Sequence, residues 1–141
     1  MSTVAGNIFE RWNAEGVSTA PASLTAIELC ESRWGESLPA LLRELYLLSD
    51  GISKLDREFL EFYPVKDFLV EEILGESALV FATYSFSVHV FGLMRHGCVV
   101  AWPGPNNCST VVAPNLGGFF EAYLRRDRVL RDPFPALVGF E

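Results

Sequence analysis

Basic residues are few. Lysine and arginine number 11 against 18 aspartates and glutamates, for a net charge of −7 and a pI near 4.8. A chain this acidic repels phosphate backbones and anionic lipid, which argues against direct nucleic-acid or membrane partners and is compatible with a basic protein partner. Cysteine is scarce as well. Cys30, Cys98 and Cys108 show no CxxC spacing, and an odd count excludes a closed disulfide framework. Reduced thiols in a cytoplasm are the expected state. Met1 to Glu10 lacks the basic and apolar regions of a signal peptide. No run reaches the ~18 apolar residues that a spanning helix needs. Internal repeats, low-complexity tracts and Pro/Gly/Ser linkers are absent, so residues 1–141 are expected to form a single domain. What remains is a globular composition: 50% hydrophobic, 13% aromatic and only 21% charged, the reverse of a disordered chain.

The pattern along the chain predicts helices first. Ile8, Phe9 and Trp12 share a face in a helix from about Val4 to Glu15, stopped by Gly16. A second helix is expected to start at Thr25, with Glu28 completing a capping box and Leu24 and Leu29 a hydrophobic staple. Ile27, Cys30 and Trp34 line its apolar side, and Gly35 ends it. Pro39 opens a third helix, with Leu41, Leu42, Leu45, Tyr46 and Leu48 on its face and Asp50-Gly51 at its end.

Strands follow. Phe59–Val65 reads as a strand ending near Pro64, whereas Lys66–Leu74 is ambiguous, with Phe68, Leu69 and Ile73 placeable on a short helix. Ala78–Tyr84 and Ser87–Met94 are rich in Val and Phe and alternate with period two. The turn Arg95-His96-Gly97 leads to Cys98–Trp102, and Gly104-Pro105-Asn106-Asn107 leads to Ser109–Ala113. A last helix, about Leu116–Arg126, is capped by Asn115, and the Pro-rich tail Asp132–Glu141 is expected to pack as extended chain. Short turns between strands imply an antiparallel meander of about four to six strands with helices packed on one face, an α+β fold.

The order of these pieces resembles the SUKH superfamily, the Smi/Knr-type domains that include bacterial toxin-immunity proteins. The segment from Ile27-Glu28-Leu29 through Leu38-Pro39 to Asp50-Gly51 is similar to the family's glutamate-bearing helix, Leu-Pro helix start and polar-Gly turn. Phe62-Tyr63-Pro64-Val65, Phe81–Tyr84, Val90–Leu93, Gly97–Trp102 and Phe119–Leu124 look like its later strands and closing helix. The resemblance spans residues 25–126. Thr83–Ser87 departs from the family's Gly-rich acidic turn, and Asp50 stands where asparagine is usual. The resemblance implies a binding protein and not an enzyme. It implies either an immunity protein against a polymorphic or contact-dependent toxin, such as a basic nuclease, or an intracellular regulatory or scaffold domain, as in fungal cell-wall regulation. A monomer or weak dimer is expected.

The chemistry-bearing residues agree with that reading. His96 and Cys98 are two apart, but no third group is apparent to orient the imidazole, and a free cysteine is most often an inert hydrophobe. His89 lies in an apolar strand. Two histidines and three scattered cysteines give no metal-ligand spacing. Gly117-Gly118 lacks phosphate-loop spacing, and Arg125, Arg126, Arg128 and Arg131 sit where arginines complement a helix C-terminus. No catalytic residue, metal or cofactor is expected. An enzyme reading would need a pocket joining His96, Cys98 and a carboxylate. Acidic residues around an exposed aromatic would steer and anchor a basic partner. Asp50, Asp56, Glu58, Glu61, Glu71, Glu72 and Trp102 are the residues expected to do so.

Overall fold

Three helices precede the first strand: α1 (Thr3–Ala14), α2 (Leu24–Trp34) and α3 (Ala40–Tyr46). The computed structural model describes residues 3–86, 88–104 and 108–134. The cap of α2 is Ser23, not Thr25. Ser23 has the extended backbone a cap requires (φ −80°, ψ 153°), and its hydroxyl accepts the Ala26 N–H at 3.0 Å. Thr25 therefore lies inside the first turn, and Leu24 and Leu29 remain exposed with no staple. Ile27, Cys30 and Trp34 face the core, and Gly35 closes the helix in the left-handed conformation. Pro39 sits one position earlier than expected, as the residue before α3, and α3 ends at Tyr46, so Leu48 is outside it. Gly51 then turns at φ 73°, where a Cβ would stand 2.4 Å from the Phe62 carbonyl oxygen.

The strands are β1 (Leu60–Phe62), β2 (Leu69–Ile73), β3 (Glu76–Tyr84), β4 (His89–Leu93), β5 (Val99–Trp102) and β6 (Thr110–Ala113). β1 is shorter than the expected 59–65 strand because Phe59 adopts φ 63° and Pro64 has no N–H to donate. Val65–Asp67 forms a 3-10 turn, and the ambiguous segment after it is strand, not helix. β1 and β2 pair with successive stretches of β3, Leu60–Phe62 against Tyr84–Ala82 and Leu69–Ile73 against Val80–Glu76. Together they form one interrupted edge. The sheet continues β3-β4-β5-β6, all antiparallel, as a meander.

The helices cover one face. A bulge between Val80 and Ala82 lets both Phe81 and Ala82 turn into the helix-side core. There Phe62 meets Trp12, Phe81, Phe119, Phe120 and Tyr123 at ring-centre distances of 5.0–6.5 Å. Burying one such ring contributes about 1.5–3 kcal/mol. The closing helix α4 (Leu116–Leu124) starts as expected, Asn115 Oδ1 accepting the Gly118 N–H at 2.7 Å. Among the described residues, the opposite sheet face carries a small cluster of Ile73, Ala78, Met94 and Val100, flanked by Cys98 and Trp102. At the C-terminal side Phe134 packs edge-on to His89, 5.5 Å away. The rest of the expected extended tail, 135–141, and the turn residues 105–107 lie outside the described residues. Among the described residues no helix is long and apolar enough to cross a membrane.

Candidate partner-binding surface

The acidic residues divide into internal and outward-facing groups. Asp56 is buried at 5% exposure. Its Oδ1 accepts the N–H of Glu58 at 2.8 Å and of Leu60 at 3.0 Å, and its Oδ2 accepts the Tyr123 hydroxyl. Trp12 Nε1 donates to the same Tyr123 oxygen at 3.0 Å, and the Arg11 guanidinium lies 4.1 Å above the Tyr123 ring. Burial raises the Asp56 carboxyl above its ordinary range against the pull of these hydrogen bonds. Burial, reinforced by the Asp56 charge, carries the Tyr123 phenol far upward. Asp56 therefore joins α1, α4 and the entry to β1 from inside, and offers no charge to a partner. Glu58 is also largely engaged, pairing with Arg126 at 3.1 Å.

Asp50 is half-buried, and its Oδ1 accepts the Val65 N–H at 2.8 Å, which pins the turn between β1 and β2. With Glu61 it lines an open groove of about 470 Å³ whose wall also carries Lys66 and Pro64. Glu71 and Glu72 lie apart from this groove on β2, next to exposed Leu69 and Val70. Trp102 stands on the helix-free sheet face, opposite Val90. Three strand spacings, about 14 Å, separate β5 from β2, so Trp102 and the β2 glutamates are not one cluster. The expected residues thus form a groove, a strand edge and a separate tryptophan.

The turn between β4 and β5 brings together a group whose members are up to 22 residues apart in the chain. His96 Nε2 lies 3.1 Å from Cys98 Sγ, and His96 Nδ1 lies 3.3 Å from Glu76 Oε1. A carboxylate therefore does orient this imidazole, correcting the expectation that no third group is present. The signal was the hairpin: β3 and β4 return Glu76 to the β4–β5 turn across 20 residues of chain. The chemistry remains quiet. Burial and the Glu76 carboxylate both push the Cys98 thiol up, away from the thiolate that a nucleophile needs. The His96 side chain is 61% exposed. The cavity of about 390 Å³ beside this turn is lined by Trp34, Leu93, Met94 and Arg95, without His96 or Cys98. His89 is a core residue, its Nε2–H donating to the Leu130 carbonyl at 2.9 Å, and burial lowers its pKa. Among the described residues no group of three His, Cys, Asp or Glu side chains is placed to hold a metal.

Residues 21–122 match the model of the SMI1 / KNR4 family (SUKH-1), well over half of the chain. The chain belongs to the SMI1 / KNR4 family. The matched span coincides closely with the 25–126 segment that carried the resemblance in the sequence. No curated protein matches the chain. SUKH-1 domains are binding modules that take protein partners, and the family includes toxin immunity proteins. Within this SUKH-1 domain the Leu38-Pro39 motif is held by α2: Glu31 Oε2 accepts the Leu38 N–H at 2.7 Å and pairs with Arg43 at 3.2 Å.

Proposed function

We propose that this chain is an immunity protein that binds a basic toxin, of which a nuclease is the expected kind, and blocks its active surface. Membership of SUKH-1 is the observation that carries the reading, and the acidic surface supports it. Of the acidic residues expected to meet a partner, Glu71 and Glu72 lie on β2, and Glu61 and half-buried Asp50 line the groove. Asp56 and Glu58 support the fold instead. Unpaired Cys30, Cys98 and Cys108 fit a reducing, cytoplasmic compartment. Charges of this kind act first on encounter, so they set the association rate and its salt dependence.

The test is affinity capture from a lysate of the source organism at low and at physiological salt, with bound proteins identified by mass spectrometry. One dominant basic partner that survives physiological salt is the expected result. Its association rate should fall about tenfold in the double charge reversal Glu71→Lys, Glu72→Lys at low salt. A scatter of weak partners at both salts would favour a regulatory or scaffold role in its place.

A further inference from the structure

β2 ends in a two-residue turn, Leu74-Gly75, with both residues at positive φ (54° and 78°). In such a hairpin the flanking pair, Ile73 and Glu76, closes the ladder by hydrogen bonding to each other. Alternation along an antiparallel ladder then fixes the rest. Ile73, Glu71 and Leu69 direct their backbone groups to β3. Glu72 and Val70 direct N–H and C=O the other way, out of the sheet. Among the described residues neither makes a backbone hydrogen bond outside that ladder.

Apolar side chains flank the two glutamates of this edge. Leu69 is 51% exposed and Leu74 72%. An open edge with apolar side chains invites a further strand. Glu71 and Glu72 select which strand. A second copy paired antiparallel about the middle of β2 would set Glu71 against Glu71 or Glu72, and like charges directly opposite are destabilising. A segment with lysine or arginine at those places would be attracted. The strand at the other end of the order, β6, carries Thr110, Val111, Val112 and Ala113 and no charge, so it offers no such selection.

We infer that the β2 edge is a docking strand, and that its occupant is an extended basic segment of the partner protein, which joins the sheet beside β2. The inference rests on the reading of this chain as a binder of a basic protein, and it names the surface and the mode. The matching segment has basic residues opposite Glu72 and Glu71 and apolar residues opposite Val70 and Leu69.

The probe is an acetylated, amidated hexapeptide, Thr-Arg-Lys-Val-Ile-Thr, titrated into the isotopically labelled full chain. The expected result is a shift of the Val70 and Glu72 amide resonances, with their hydrogen exchange slowed about threefold or more at saturation. A backbone N-methylated peptide of the same charge should give neither effect. Glu72→Lys should weaken binding about tenfold. Val70→Pro removes one outward N–H while leaving the β2–β3 ladder intact, a position where an edge strand tolerates proline, and should abolish docking in a folded chain. The inference is overturned if the shifts fall on the Asp50–Glu61 groove or on β6, if the N-methylated peptide binds equally, or if no amide responds at about 10 mM peptide. Concentration-dependent dimerisation with protected β2 amides and no peptide would also overturn it, in favour of a second copy. If Val70→Pro captures the basic partner with unchanged affinity, the edge is not the interface and the immunity reading stands. If no basic partner is captured while the peptide still docks at β2, the immunity reading fails and the edge assignment stands.

Discussion

Replacing Asp56 should damage folding and leave partner recognition intact. The carboxylate accepts three hydrogen bonds, from the Glu58 and Leu60 amides and the Tyr123 hydroxyl, in a site that α1, α4 and the β1 entry share. Alanine removes all three and strands a buried phenol and two amides. Each such loss costs roughly 1–3 kcal/mol, but removing the carboxylate also returns the desolvation penalty that raises its pKa. The net expectation is about 2–4 kcal/mol for Asp56→Ala. Asparagine keeps the Oδ1 acceptor for both amides but turns a donor toward Tyr123, whose oxygen already accepts from Trp12. One bond is lost, so Asp56→Asn should cost about 1–2 kcal/mol at neutral pH. The pH dependence has a definite sign. Because the folded state raises the Asp56 pKa above its ordinary value of 3.8, folded protein binds more protons than unfolded protein just above that value. The Asp56 contribution is therefore fully present below 3.8 and declines as pH rises through the folded pKa. The gap between wild type and Asp56→Asn should narrow from acid toward pH 7. Urea unfolding followed by tryptophan fluorescence measures it, since Trp12 belongs to the network. Unchanged stability of Asp56→Asn at every pH, with weakened partner binding, would show the carboxylate to be a contact residue and refute this account.

Other expectations follow from the same geometry. Gly51→Ala should cost about 3 kcal/mol or more, whereas Gly16→Ala, with the same φ of 73° but no atom within 4 Å, should cost about 1 kcal/mol, as read by denaturant midpoints. Ser23→Ala should lose about 1 kcal/mol and Thr25→Ala less than about half of that, since only Ser23 caps α2; equal losses would contradict the cap assignment. With a thiol reagent at neutral pH, exposed Cys108 should react first, Cys98 more slowly and buried Cys30 last. A Cys98 faster than Cys108 would mean that the Glu76–His96 pair activates it, and would reopen the enzyme reading.

The sequence disclosed the elements that repeat locally. Ile27, Cys30 and Trp34 recur at helical spacing and all three are buried, and Asn115 caps α4 where its side chain can reach the Gly118 amide. The start of α2 was misplaced because Ser23 and Thr25 are both competent caps, and the choice depends on backbone angles that sequence does not carry. β2 was ambiguous because an edge strand exposes residues on both faces: Leu69 and Val70 are adjacent and both exposed, which blurs the period-two signal. Asp56 looked like a surface carboxylate in a loop because the hydroxyl that engages it is 67 residues away. Composition alone does not separate Trp102 from the β2 glutamates; the strand order does, by setting β3 and β4 between them.

The proposed neutralisation of a basic protein by this SUKH-1 domain is open to direct measurement. The most direct test is to titrate the chain into its captured partner and follow the partner's toxic activity, beginning with nuclease cleavage. Activity should fall in a straight line to zero at one equivalent, and the Glu71→Lys, Glu72→Lys chain should need more time or more protein to reach it. A partner that is saturated with the chain and keeps its full activity would rule out neutralisation by binding.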